Sequence, residues 1–297
     1  MKVLVAGGTG AVGRPLVRQL EEAGHEVVAA SRSSKSAPMD ALDSASVSEA
    51  VGAARPDVIV NQLTAIPDPI DPRKMQQQFE PTNRLRREGA ANLMAAAREH
   101  GVRRVISQSV AFAYAPNGGG AWTEDDPLFI EAGEIVSAIE ALERQTLDTE
   151  GVEGVVLRYG FFYGPGTTYA SDGGTARAVR KRQFPIIGKG TGVFSFIHID
   201  DAAAATVAAL DCGPEGPYNI VDDDPAPVHD YLPVLAEALG AKRPFRVPKF
   251  VGRLAAGPLA VHYMTTLQPA SNEKAKRELG WQPRWPSWRQ GFREALG

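Results

Sequence analysis

The run Lys2-Val3-Leu4-Val5-Ala6-Gly7-Gly8-Thr9-Gly10-Ala11-Val12-Gly13 decides the fold of this chain. Four apolar residues in a row, Val3 to Ala6, suit a strand at the centre of a parallel sheet that is covered on both faces. Glycines at 7, 10 and 13 follow at once. Val12, Leu16, Val17 and Leu20 then recur at helical spacing until Gly24 closes the helix. Strand, glycine turn and helix in that order make a phosphate cradle. Gly7 supplies the tight turn, Gly10 lets the backbone approach a diphosphate, and Gly13 lets the helix pack closely. The amides of Thr9, Ala11 and Val12 and the helix dipole favour an anion there. A bare structural turn is the weaker reading, because the triplet stands inside a strand–turn–helix unit.

A second strand over 26–30 ends at Ser31-Arg32-Ser33. A site that prefers NAD puts an acid there to accept from the ribose 2′-hydroxyl, and none is present. Arg32 is suited to stack on adenine and pair with a 2′-phosphate, with Ser31 and Ser33 as donors. The expected cofactor is therefore NADP(H). An arginine that is merely solvated would leave the preference open.

Further along, apolar strands are expected at 58–60, 104–107 and 154–158, with helices over 82–100 and 135–150. Such alternation implies right-handed crossovers and an α/β fold, a Rossmann-type doubly wound parallel sheet. After Tyr159 glycines and prolines become frequent, and short helices near 201–210, 230–239 and 272–279 are separated by loops. Residues 1–158 are expected to form the dinucleotide-binding domain. Residues 159–297 are expected to form a smaller, loop-rich substrate lobe, with some segments returning to the sheet.

Of 297 residues, 32 are basic and 35 acidic, a net charge of −3 that supplies no field for nucleic acid. No stretch of about 18 apolar residues is present, so no membrane partner is expected. The apolar run after Lys2 is too short for a signal peptide. With one cysteine, Cys212, the chain forms no internal disulfide, which fits a cytoplasmic setting. No histidine–carboxylate spacing points to a metal.

The chain resembles the extended short-chain dehydrogenase/reductase superfamily of NAD(P)-dependent epimerases, dehydratases and reductases. The likeness rests on the glycine turn, Asp40-Ala41-Leu42-Asp43, Val58 to Asn61, Asn92 to Ala97, Arg104 to Ser109, Leu157 to Gly166, Phe196 to Ala202 and Lys276 to Pro283. The resemblance implies that Asp40 and Ala41 meet the adenine edge and that Gln62, Leu63 and Thr64 line the ribose side. It also puts Asn83 under the nicotinamide half and Ser107 in the cofactor wall. Asp40 also reads as a turn cap, and Asn83 as a buried amide satisfied by backbone.

One part of the family pattern is missing. Its proton relay is a tyrosine with a lysine four residues later on one helical face. Glu143 aligns with the family's glutamate and puts Ile135 and Ile139 at those positions, and none of the seven tyrosines has a lysine four residues on. The resemblance leaves Ser109, Tyr114 and Tyr163 as catalytic candidates, although strand capping and aromatic packing are alternatives for them. Two functions stay open. The first is an NADP(H)-dependent oxidoreductase or epimerase/isomerase on a small carbonyl or hydroxyl substrate, with a non-standard proton donor. The second is a non-enzymatic NADP(H) sensor of NmrA-like type. A homodimer through the helices at 82–100 and 135–150 is the assembly that relatives imply.

Overall fold

Strand and helix alternate from the second residue in this computed structural model, which describes residues 1–296, with side chains described to Glu294. The first half runs β1 (Lys2–Ala6), α1 (Gly13–Glu22), β2 (Glu26–Ala30), α2 (Ser44–Ala54), β3 (Val58–Asn61), α3 (Met75–Arg84), α4 (Ala90–Glu99), β4 (Arg104–Val110), α5 (Glu134–Leu147) and β5 (Glu153–Tyr159). The second runs β6 (Phe161–Tyr163), α6 (Gly174–Arg180), β7 (Ile186–Ile187), β8 (Val193–Phe194), β9 (Phe196–His198), α7 (Ile199–Ala208), β10 (Gly216–Ile220), β11 (Ala226–Pro227), α8 (Val228–Ala238), β12 (Arg246–Val247), α9 (Lys249–Thr265), α10 (Glu273–Leu279) and α11 (Trp288–Leu296). Six strands pair in parallel in the order β10-β5-β4-β3-β1-β2. Because β1 has β2 on one side and β3 on the other, a crevice opens past the carboxyl ends of β1 and β3.

Residues along each strand alternate between the two faces of the sheet, which is why the runs are apolar throughout. Val3, Val5, Val58, Val60 and Ile106 face Leu16 and Leu20 of α1 and the small residues Ala202 and Ala205 of α7. Leu4, Ile59 and Val105 face Val47 and Val51 of α2 and Leu93 and Ala97 of α4. Full burial of each such side chain contributes about 1.5–3 kcal/mol.

Several helices differ from expectation: α6, α9 and α11 of the second half were not foreseen, and two differences fall in the first half. The central helix begins at Met75 rather than 82 and runs through Pro81, passes a π turn over Leu85–Gly89 and continues as α4. The serine- and alanine-rich α2 was not expected at all; it buries only Val47, Val51 and Ala54.

Past β5 the lobe gathers around Tyr163, Phe196, Tyr231, Trp288 and Phe292, which are fully buried. Besides α7, which packs on α1 and the sheet, two further segments tie the halves together. β10 leaves the lobe to flank β5. The loop after β3 reaches the other way: Asp68 accepts from the Gly174 amide (2.9 Å) and from Arg177 (3.2 Å), and Arg73 donates to the Ala255 carbonyl (2.8 Å).

Helix α5 lies backbone to backbone on β5, so a Cβ built at Gly154 would stand 2.0 Å from the Thr146 carbonyl oxygen. Gly154→Ala is therefore expected to cost about 1–3 kcal/mol or more by overpacking. The check is the urea midpoint at unchanged m-value.

Candidate active site

The turn from Gly7 to Gly13 is closed by contacts that no other residue type permits. Gly7 has φ 86°, and a Cβ there would lie 2.8 Å from the Gln62 carbonyl oxygen. At Gly13 a Cβ would lie 2.3 Å from the Gly7 carbonyl oxygen, so this glycine lets the helix close on the turn itself. Gly10 is exposed, and a Cβ there would meet only the Gly7 oxygen, at 3.2 Å. Among the described residues the amides of Thr9, Ala11, Val12 and Gly13 find no acceptor, and Val12 provides no side-chain cap. Four free donors at the start of a ten-residue helix fit a diphosphate. Arg14, which the sequence reading passed over, adds a cation on the same turn, its Nε 3.5 Å from the Gly10 carbonyl oxygen.

Past β2, Ser31 and Ser33 bring their hydroxyls within 3.4 Å of each other, and Arg32 between them is exposed and makes no hydrogen bond or ion pair among the described residues. Lys35 is exposed in the same loop. The bend is fixed by Ser31 pairing with Pro38 and by the Ala37 amide donating to Ser34 (3.1 Å). Asp40 caps its own turn, its Oδ1 accepting from the Leu42 amide at 3.0 Å. Ala41 is buried, and its carbonyl accepts from Asn92 (2.9 Å).

On the β3 side, Gln62 stands across from Gly7. Its Nε2 donates to the Tyr159 hydroxyl (3.3 Å), while Oε1 is buried with no partner. Leu63 is half-buried, its amide held by Asn61, and Thr64 is exposed. Asn83 is buried with Oδ1 unpartnered, and it lines a surface groove of about 220 Å³ with Glu80, Arg84 and Arg87. Neighbouring Thr82 points inward and accepts from the Ala65 amide (3.0 Å).

At the ends of β4 and β5 a buried ion pair organises everything around it. Arg158 donates to both carboxylate oxygens of Glu143 at 3.0 and 2.6 Å. Ser109 donates to the same carboxylate (2.5 Å), and Tyr114 accepts from Arg158 (2.9 Å) and donates to Asn219 (2.6 Å). Burial works against the charge of Arg158, yet the bonds to Glu143 leave its pKa above the ordinary value. Burial pushes the Tyr114 phenol well up despite that guanidinium. Ser107 lies 2.8 Å from the Thr146 hydroxyl. Tyr163 is fully buried against Phe196, His198 and Phe292, its hydroxyl unpartnered and its pKa raised by burial.

Ile135 and Ile139 sit on α5 within an apolar patch formed with Val110, Ala113 and Val136. In the neighbouring cluster Phe112 stacks on Phe161 with ring centres 4.1 Å apart, and both rings are half-buried. Of the other aromatics near this cleft in sequence, Trp122 and Phe194 are core residues, and Phe162 packs on Tyr159. His198 caps α7 through the Asp200 amide (3.2 Å). The chain thus carries a glycine turn with free amides, a basic serine-rich bend past β2 and a stacked aromatic pair past β4 and β5, with the Ser109 and Tyr114 hydroxyls engaged in structure. No group of three or more potential metal ligands is present among the described residues, and no described helix is long and apolar enough to cross a membrane.

Comparison with known proteins gives a consistent result. The profile of the NAD dependent epimerase/dehydratase family matches residues 3–221. A 3-diazoavenalumate denitrifying reductase from a Streptomyces species is 44% identical, over 98% of this chain and 99% of its own length. A 2-alkyl-3-oxoalkanoate reductase from Stenotrophomonas maltophilia is 24% identical, over 97% and 91%. Among solved structures, a UDP-glucose 4-epimerase from Thermotoga maritima superposes with a TM-score of 0.79 at 20% identity, covering 100% of this chain and 97% of the other. A human epimerase family protein with NADPH also gives 0.79, at 22% identity, covering 100% and 99%. At these identities the two structures speak for the fold alone.

Removing the acid of the ion pair leaves a buried, uncompensated guanidinium, so Glu143→Gln is expected to lose about 3–5 kcal/mol. Ser109→Ala removes one charge-assisted bond and is expected to lose about 1.5–3 kcal/mol. Urea unfolding of the two variants checks both figures. A Ser109→Ala protein of wild-type stability that no longer turned over would instead put the hydroxyl on the substrate.

Proposed function

Because the chain belongs to the NAD dependent epimerase/dehydratase family, we propose that it is an NADP(H)-dependent reductase that delivers hydride to a small aromatic substrate without a protein proton donor. One observation carries this reading: the two relay positions are aliphatic, and the candidate hydroxyls of Ser109 and Tyr114 are bound to Glu143, Arg158 and Asn219. A carbonyl reduction that makes an alkoxide needs a nearby acid. A reduction in which hydride displaces a leaving group does not.

The name of the relative at 44% identity supports such a substrate, a diazo compound that loses nitrogen. When bound, the reduced dinucleotide would supply a hydride to the diazonium-bearing carbon, so that a C–H bond forms as the C–N bond breaks, N2 leaves with the bonding pair, and charge balances without a proton. The chain's own residues hold, orient and exclude water. The amides of Thr9 to Gly13 take the diphosphate, and Arg32 takes the 2′-phosphate with Ser31, Ser33 and Lys35. Asp40 and Ala41 border the adenine, and Gln62, Leu63 and Thr64 the ribose. Phe112, Phe161 and the isoleucines of α5 keep the reacting end dry, where a cationic diazonium meets aromatic faces. Ser109 and Tyr114 act here as positioning residues through the ion pair, and Tyr163 as core.

The sensor alternative shares the missing relay, but the relatives that match nearly the full chain are named as enzymes. An NADPH-consuming reaction and an exposed Cys212 thiol support a cytoplasmic setting. A homodimer through the outer faces of α4 and α5 belongs to the same proposal.

Arg32→Ala is expected to weaken NADPH binding at least about tenfold and to leave NADH unchanged, because a charge-assisted phosphate contact is lost. Fluorescence titration of the two nucleotides checks this; equal effects on both would remove the 2′-phosphate assignment. The enzyme should consume NADPH and release N2 from 4-carboxybenzenediazonium, leaving benzoate. With the phenols at the site held well above neutrality by burial, single-turnover hydride transfer should be flat from about pH 6 to about pH 9. A bell-shaped profile there would mean that a titrating acid takes part after all.

A further inference from the structure

Three arginines are buried among the described residues, and two of them are saturated. Arg104 donates to Glu153 and to the carbonyls of Ala209, Cys212 and Gly213. Arg158 donates to Glu143, Tyr114 and the Glu124 carbonyl. Arg86 is equally buried, 5% exposed, and donates to nothing. Its Nη1 lies out of reach of water with no partner, and no described carboxylate lies within ion-pair distance.

The central helix turns this side chain inward. Its buried face runs Phe79, Thr82, Arg86, Ala90, Leu93 and Ala97. From Ala90 onward that face is apolar and covers the sheet. Thr82, one turn before Arg86, holds the amide of Ala65, four residues past the end of β3. Arg86 therefore stands beyond the carboxyl ends of the strands, where such sheets take their ligands. It lies within the π turn Leu85–Gly89, a departure from regular helix of the kind that recurs at functional sites.

Its one ionisable neighbour is Tyr263 of α9. Burial raises that phenol to about 12, with the guanidinium pulling the other way. The ring of Tyr263 meets Phe112 and Phe161 edge-on, with centroids 6.1 and 6.3 Å away. The Tyr263 ring thus borders the aromatic pair that follows β4 and β5, and the charge of Arg86 is felt at its phenol. Burial lowers the arginine only to about 10, so at neutral pH it keeps its charge. A buried cation without a counter-charge is strongly unfavourable, and a ligand that brings the anion relieves it.

We propose that Arg86, assisted by the Tyr263 hydroxyl, is the binding residue for a carboxylate on the substrate, and that this enzyme takes aromatic carboxylates. The planar guanidinium matches a carboxylate in bidentate fashion, and the stacked rings match an arene attached to it. The proposal deepens the reductase reading and rests on it. A second anion is available in principle, a phosphate of the dinucleotide, and the test separates the two.

Cinnamate and its neutral analogue cinnamamide are titrated calorimetrically into the full-length protein, with and without saturating NADP+. Wild type is expected to prefer cinnamate by at least about tenfold. Arg86→Gln should abolish the preference, Arg86→Lys should keep part of it, and NADPH affinity should stay within about twofold in both. Arg86→Gln should also melt later than wild type in the absence of ligand, since an unpaired buried charge is gone. No carboxylate preference in wild type, an unchanged preference in Arg86→Gln, or an earlier melting point would each overturn the proposal. Loss of NADPH binding in Arg86→Gln would also overturn it, by assigning the guanidinium to the nucleotide. Failure of wild type to bind NADPH while the carboxylate preference persists would sink the reductase reading and leave the anion subsite standing.

Discussion

A carboxylate and a guanidinium, both nearly sealed from water, hold the carboxyl end of the sheet together. Glu143 comes from α5 and Arg158 from β5, and through Ser109, Tyr114 and Asn219 they also secure β4, the loop after it and β10. Removing two charges from water is costly, and only a fully bonded arrangement offsets the cost. The protein meets that demand with every hydroxyl at hand. This is why the residues that a family comparison would nominate for catalysis are already engaged. On the reading proposed above, chemistry at this end of the sheet draws on other groups, or on a reaction that asks for none.

Most polar groups in the interior are saturated; Arg86 is one of nine described side chains with a buried atom that is not, beside Gln62, Asn83, Tyr163 and Asp222 among others, and the α1 amides are free on a largely exposed turn. The amides at the start of α1 and the guanidinium of Arg86 lie past the carboxyl ends of the strands. The first set suits a diphosphate through many weak donors on rigid backbone. The second concentrates one charge beside aromatic rings.

Much of this was readable from the chain alone, for identifiable reasons. The glycine turn is local: crowding at Gly7 and Gly13 involves residues that are neighbours in sequence or in the first crossover. The strands are short apolar runs because both faces of the sheet are covered. Helix α2 escaped notice because Ser and Ala dominate it and only three of its side chains are buried. The start of α3 was missed because Pro81 reads as a beginning, whereas the helix passes through it. The fate of Ser109 and Tyr114 depends on partners 34 and 105 residues away, which no window of sequence connects. Arg86 was hidden by its company: among Arg84, Arg87 and Glu88 it looks like one more charge on a wet surface, although it stands four residues from both Thr82 and Ala90 on the buried face.

The placement of β10 against β5 reaches further than its five residues suggest. It caps the backbone of β5 from Val155 to Tyr159, a stretch with both faces buried. A fragment cut after residue 158 would expose that row of amides and carbonyls as a bare apolar edge, a template for adding strands from other copies. The half that carries the glycine turn thus depends on the other half to cover its edge. The late-synthesised part of the chain, arriving at β10, is what seals the sheet against its own kind.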